Sequence, residues 1–226
     1  MLALVPIAGW EVTDIYCERL GPELWAEPVN AATNLAFLFA AWATWRIAQK
    51  QSTLTPDIRL LIGLITAIGV GSGLYHTFAT RWAELLDVLP ILLFQLLFLG
   101  SYCSRIILIQ PIFTGLIVLA YAGIVFWAGT FSHLLNGSLA YAPAILVLGI
   151  VGCYHCATDR NRPNLLLIAA LVFLISLTFR TLDNAFCPYI PLGTHFLWHL
   201  LNALLLYLLM VGLIANIPGK GYVTGS

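Results

Sequence analysis

Charged residues are scarce in this sequence. Lysine, arginine, aspartate and glutamate together make up 9% of the 226 residues, where a soluble domain carries about 25%. That excludes an ordinary soluble globular domain. Net charge is zero, so no basic surface points to nucleic acid. The first six residues, Met1 to Pro6, hold no basic side chain, and the apolar run there is too short for a signal peptide. There is no internal repeat, no low-complexity tract and no polar linker to a second domain. What is present is apolar: 61% hydrophobic residues and a mean hydropathy of +0.93. The class expected is an all-α, polytopic integral membrane protein forming a single domain over 1–226.

Seven apolar spans are expected, near 28–49, 57–78, 85–104, 106–128, 138–157, 164–183 and 194–216. Each is long enough to cross a hydrocarbon core. Pro56 and Asp57 fit a helix start after a short turn from Lys50 to Thr55. Pro111 and Pro143 fall inside expected spans, where membrane helices tolerate proline. Seven crossings place the termini on opposite sides. With the N-terminus outside, the inner side receives Arg46, Lys50, Arg59, Arg105, Arg160, Arg162 and Lys220, and the outer side only Arg19, Arg81 and Arg180. The positive-inside rule then favours an outer N-terminus and a cytoplasmic C-terminus. Residues 1–27 carry five of the ten acidic residues, Glu11, Asp14, Glu18, Glu23 and Glu27. They read as a short extracytoplasmic cap, with a solvated terminus as the plainer alternative.

This topology brings polar residues from three spans to one depth beneath the cap. Ser72 and His76 lie at the outer end of the second span, Asp87 near the start of the third, and His195 and His199 at the start of the seventh. Each pair spaced by four shares a helical face. Paired histidines at that spacing can present two nitrogens to one metal, and three protein ligands plus water is the usual catalytic zinc arrangement. Spacing alone leaves a second reading open, that of packed, hydrogen-bonded histidines. His133 and His155, which have no such companions, take that second reading. Asp87 weights the metal reading, because a carboxylate inside a span is costly without a partner or a role. Its plain alternative is an N-cap of the third helix. Ser72, within Gly71-Ser72-Gly73, could simply permit close helix packing.

Gly71-Ser72-x-x-x-His76, then Glu84-x-x-Asp87-x-Leu89-Pro90, then His195-x-x-Trp198-His199 resembles the alkaline ceramidases. These belong to a superfamily of seven-helix membrane hydrolases that includes the adiponectin receptors. Asp183-Asn184-x-Phe186-Cys187 resembles the family's segment before its last helix. Asp14-x-x-Cys17-Glu18 with Glu27-x-x-Asn30-x-x-x-Asn34 resembles its N-terminal segment. The resemblance runs end to end. It implies zinc held by His76, His195 and His199, a water at the zinc activated by Asp87, and Ser72 near the developing oxyanion. It also implies a seven-helix cavity for a lipid amide, with Trp198 beside the substrate, and a disulfide between Cys17 and Cys187.

The sequence departs from the family at two places. Val88 stands where those ceramidases carry an acidic residue after the motif aspartate. Their N-terminal segment resembles a calcium site, and Asp14, Glu18 and Glu27 remain here as its candidate ligands. One extra residue, however, separates Asp14 from Cys17, and Arg19 and Leu20 replace oxygen-bearing residues. Calcium wants six to eight oxygens, and Arg19 works against it. Of the other cysteines, Cys103 reads as packing, and Cys153-x-x-Cys156 as two buried thiols rather than a redox pair.

The leading functional expectation is therefore a zinc-dependent hydrolase of a lipid amide, ceramide first. The alternative is a seven-helix receptor or lipid-binding protein with a structural zinc. A transporter is disfavoured, since no span carries mid-depth charge and no half repeats the other.

Overall fold

Prolines set where several helices begin. Pro28 opens α1 (Pro28–Thr33), Pro56 opens α3 (Pro56–Phe78), Pro111 opens α5 (Pro111–Gly129), and Pro143 lies in the first turn of α6 (Ala142–Ala157). At that position the missing N–H would have had no helical partner anyway. Pro111 and Pro143 thus cap helices rather than interrupt them. The remaining helices are α2 (Leu35–Lys50), α4 (Arg81–Tyr102), α7 (Leu165–Phe186) and α8 (His195–Ile214). A π-turn at Cys103–Ile107 extends α4, and a 3-10 segment at Leu135–Tyr141 leads into α6. The computed structural model describes residues 16–131 and 134–217; Asp14 and His133 lie outside them.

Among the described residues, six helices are long and apolar enough to cross a membrane. The first expected span, 28–49, is instead divided between α1 and α2 at Asn34. Local polar groups account for the break. The Asn34 side-chain amide donates to the Asn30 carbonyl at 2.8 Å, and the Thr33 hydroxyl donates to the Val29 and Asn30 carbonyls. Such bonds compete with the backbone ladder.

Sequence neighbours pack side by side from α2 through α8, and α8 closes the ring against α2. Burial follows position in the ring. Two thirds of α8 is buried (67%), against 11% of α5, whose Ile112, Phe113, Leu116 and Phe126 face outward. Inside lipid an outward apolar face is ordinary, because hydrocarbon is the solvent there.

The α3–α4 hairpin sets up the site. Ala79 in the left-handed region (φ 47°) turns the chain, its N–H closing on the Tyr75 carbonyl at 2.6 Å. The next helix begins at Arg81, one turn earlier than expected. Gly71 then allows α3 to meet α4 almost backbone to backbone. A Cβ there would collide with the Leu86 carbonyl and come within 3.2 Å of the Asp87 nitrogen. Pro90 contributes to the same contact. Having no N–H, it leaves the Leu86 carbonyl, one turn back, without its helical donor.

At the opposite end of the bundle, Arg105 binds both oxygens of Asp57 at 2.8 and 2.7 Å, tying the π-turn to the start of α3. Cys103 is buried as packing, whereas Cys153 is exposed on the bundle surface, which corrects the expectation of two buried thiols.

Candidate metal centre

His76, His195 and His199 converge. Each offers a ligand nitrogen, these atoms all lie within 4.8 Å of one another, and all three residues are buried. For His76 and His199, hydrogen bonds mark which nitrogen is free. The Glu27 carboxylate contacts His76 Nδ1 at 2.5 Å. An ionised carboxylate can only accept, so Nδ1 carries a proton, and in the neutral imidazole that a metal binds the lone pair is on Nε2. Thr33 Oγ1 spends its own proton on the Val29 and Asn30 carbonyls, so it accepts from His199 Nδ1 at 2.9 Å. His199 Nε2 is then the basic nitrogen.

Three buried ring nitrogens are left with no hydrogen-bond partner: His76 Nε2, His195 Nδ1 and His199 Nε2. An unpaired buried polar atom costs about 1–3 kcal/mol. Three of them, one from each ring of one cluster, fit a shared metal ion. The donor set, three neutral imidazoles, suits zinc. Histidine ligands ordinarily give their other nitrogen to a carboxylate or similar acceptor, which is the arrangement of His76 on Glu27.

The surrounding chain locks the rings in place. The Tyr16 ring stacks on His195 with centroids 3.6 Å apart. Burial pushes the Tyr16 phenol well above its ordinary value, so it stays neutral. Asp183 is fully buried, and Oδ1 accepts the backbone N–H groups of Thr194 and His195 at 2.6 and 2.9 Å. It thereby caps α8 at the residue that bears a ligand. Asp183 Oδ2 accepts the Cys17 N–H at 3.0 Å, and Cys17 is disulfide-bonded to Cys187, as the resemblance implied. One carboxylate and one disulfide therefore join residues 16–17, the end of α7 and the start of α8.

Ser72 and Asp87 stand beside the cluster. Asp87 sits at the contact of α4 with α3 that Gly71, next to Ser72, permits. Ser72 and Asp87 line a cavity that also exposes His199 and Trp198. The rest of its wall is almost wholly apolar, including Phe37, Ile68, Phe94, Phe98, Leu148, Leu205 and Leu209. Along α8 the lining runs from His199 to Leu209, about 15 Å at 1.5 Å per residue. Trp198 packs edge-on against Tyr141, and the Arg180 guanidinium lies over both rings.

Of the carboxylates expected at a calcium site, the two among the described residues, Glu18 and Glu27, are otherwise engaged. Glu18 accepts the N–H groups of Val29 and Asn30 at 2.7 and 2.8 Å and so caps α1. Glu27 is buried between Arg19, Asn30 and His76. Burial alone would push its carboxyl up, but the hydrogen bonds from His76, Arg19 and Asn30 outweigh it and hold it below the ordinary range. Glu27 as the partner of His76, Thr33 as the partner of His199, Asp183 as the cap of α8 and Tyr16 as the lid on His195 were not foreseen. The lone usable signal was the acidic and amide pattern around Glu27 and Asn30. His155 is the packed histidine expected, bonded to Tyr102 and to the Asn161 carbonyl.

The fold and the cluster together define a multi-pass helical membrane protein with a metal-binding site of hydrolase type. The chain belongs to the Ceramidase family, whose model matches residues 13–217, most of its length. Compared with the curated proteins, the sequence finds no match. Family membership and the histidine cluster support a zinc-dependent hydrolase.

Proposed function

We propose that this protein hydrolyses the amide bond of a membrane lipid, with ceramide as substrate and a sphingoid base and a fatty acid as products. The observation that carries the reading is that His199, one of the three clustered histidines, lines a long apolar cavity together with Ser72 and Asp87. A polar reaction centre at the head of an apolar slot suits an amphiphile whose chain lies along α8.

His76, His195 and His199 would hold zinc. When bound, the ion supplies Lewis acidity that polarises an amide carbonyl and brings the pKa of a water toward about 7. Asp87 takes a proton from the attacking water on its carboxylate and returns it to the leaving amine, so that the C–N bond breaks as the new C–O bond is completed. The Ser72 hydroxyl donates to the oxygen that gains charge. Trp198 and the apolar wall hold the acyl chain and exclude water.

The orientation that best fits the basic residues puts the site toward the extracytoplasmic side. Arg46, Lys50, Arg59, Arg105, Arg160 and Arg162 all fall at the opposite end of the bundle from the histidines. A disulfide at the site end suits an oxidising compartment.

Incubating the purified protein with labelled ceramide in detergent is expected to release sphingoid base and fatty acid in equal amounts. Saturable binding of ceramide without any release would favour the receptor or lipid-binding reading instead.

A further inference from the structure

The cap buries an arginine that makes four hydrogen bonds, through all three of its guanidinium nitrogens. Arg19 is 3% exposed. Its Nε donates to Glu27 Oε1 at 2.5 Å, its Nη1 to the carbonyls of Gly21 and Glu23 at 3.1 and 3.3 Å, and its Nη2 to the carbonyl of His76 at 2.9 Å. A carboxylate and three carbonyls converging on one point form the oxygen set that normally collects around a hard cation. Here a planar guanidinium, fixed to the chain and always charged, fills that role.

Two of these contacts reach the same metal-centre residue by different routes. Nη2 grips the backbone of His76 directly. Nε holds Glu27 Oε1, while Glu27 Oε2 accepts from His76 Nδ1 and from the Asn30 amide. The guanidinium thus fixes both where the His76 ring begins and which way it turns. It also charge-balances a carboxylate that would otherwise be buried beside the imidazole alone.

We propose that Arg19 is a built-in cation that positions His76 through Glu27, so that the cap needs no free divalent ion to organise the metal centre. Arg19 is a positioning residue: it touches neither substrate nor metal. The inference rests on the proposed zinc site and adds a function for the segment that the sequence had suggested for calcium.

The test is the rate of zinc release to a chromogenic chelator from purified full-length protein. Loss of a hydrogen-bond partner behind a metal-bound histidine typically costs about 10–100-fold in metal affinity. Arg19→Gln is expected to release zinc faster by about that factor, with Arg19→Lys in between, since lysine keeps the charge but not the fork. Asp57→Asn, which weakens the ion pair with Arg105 at the opposite end of the bundle, is expected to release zinc at the wild-type rate. Because one of the two routes from Arg19 to His76 runs through Glu27, the double variant Arg19→Gln, Glu27→Gln is expected to release zinc faster than Glu27→Gln alone, but by less than the product of the two single effects. Calcium chloride and a calcium-selective chelator are expected to leave the wild-type rate unchanged. Strictly additive effects of the two substitutions, wild-type zinc release from Arg19→Gln, or slower release from wild type on adding calcium would each overturn the proposal. A wild-type protein that takes up no zinc would instead refute the functional reading on which it rests.

Discussion

Both ends of the helix bundle bury histidine, and they do so differently. At one end His155 has each ring nitrogen in use, Nδ1 with the Tyr102 hydroxyl at 2.8 Å and Nε2 with the Asn161 carbonyl at 3.3 Å. At the other end three rings keep one nitrogen each without a partner, although all three are buried. Buried polar atoms in native proteins are almost always paired. A satisfied histidine is a piece of packing, whereas three adjacent unsatisfied ones leave room for a cation. The partners differ in kind as well. A carboxylate behind His76 fixes its tautomer and raises its basicity toward a metal, while a phenol and a carbonyl behind His155 leave no coordinating nitrogen. Burial is common to both ends; hydrogen-bond satisfaction separates structure from function.

The sharpest way to break this comparison is to delete one histidine at each end. His195→Ala is expected to abolish stoichiometric zinc and hydrolysis together, and His155→Ala to leave zinc content unchanged, both read by elemental analysis of purified protein. Zinc lost equally from both variants would show that the two ends are not distinct.

Next in size are substitutions beside the cluster. Asp87→Asn keeps shape and removes basicity, so zinc is expected to stay while ceramide hydrolysis falls by at least about 10²-fold, within the range of general acid–base catalysis. Ser72→Ala is expected to lower the rate by about 10²–10³-fold, as for loss of an oxyanion donor, again with zinc retained. Steady-state turnover and metal content measured on the same preparations separate rate from binding. Wild-type turnover by Asp87→Asn would remove the assigned base.

A smaller effect is expected from the disulfide. Bridges in small domains contribute about 2–5 kcal/mol, and the Cys17–Cys187 bond spans 170 positions of sequence. The double variant Cys17→Ser, Cys187→Ser is expected to melt at lower temperature, by no more than that range implies. The Asp183 bond to Cys17 N–H persists and keeps the segment docked. Intact mass after alkylation without reductant is expected to show both thiols blocked in wild type.

Much of this was legible in the sequence, for reasons that can be named. A four-residue spacing is a local rule, so it paired Ser72 with His76 and His195 with His199. Successive spans run in alternating directions, which brought the two pairs and Asp87 to one end of the bundle. The membrane itself made Asp87 conspicuous, since lipid penalises a charge that water would hide. What stayed illegible is tertiary pairing without a period. Glu27 lies 49 positions from His76, and Thr33 lies 166 from His199; no pattern within one element announces either. The break at Asn34 was hidden for another reason. Asn30, Thr33 and Asn34 open a largely apolar run, and only their side-chain bonds to the preceding turn show that the helix yields there. The charge of Arg19 was conspicuous among acidic residues, but it could not reveal that the side chain grips His76.

The weakest expected effect sharpens the opposite end of the comparison. Tyr102→Phe leaves His155 Nδ1 without its partner and is expected to cost about 1–3 kcal/mol of stability, seen as a lower melting temperature with normal zinc and normal turnover. A drop in zinc content would join the two ends after all.

The central claim is that the three-histidine cluster holds the zinc on which amide hydrolysis depends. Its most direct test is to strip the purified protein with a chelator and titrate zinc back while following labelled ceramide. Hydrolysis is expected to vanish on stripping, return in proportion to added zinc and level off at about one ion per chain. Full turnover by stripped protein, or zinc bound in equal amount by a His76→Ala, His195→Ala, His199→Ala triple variant, would contradict it.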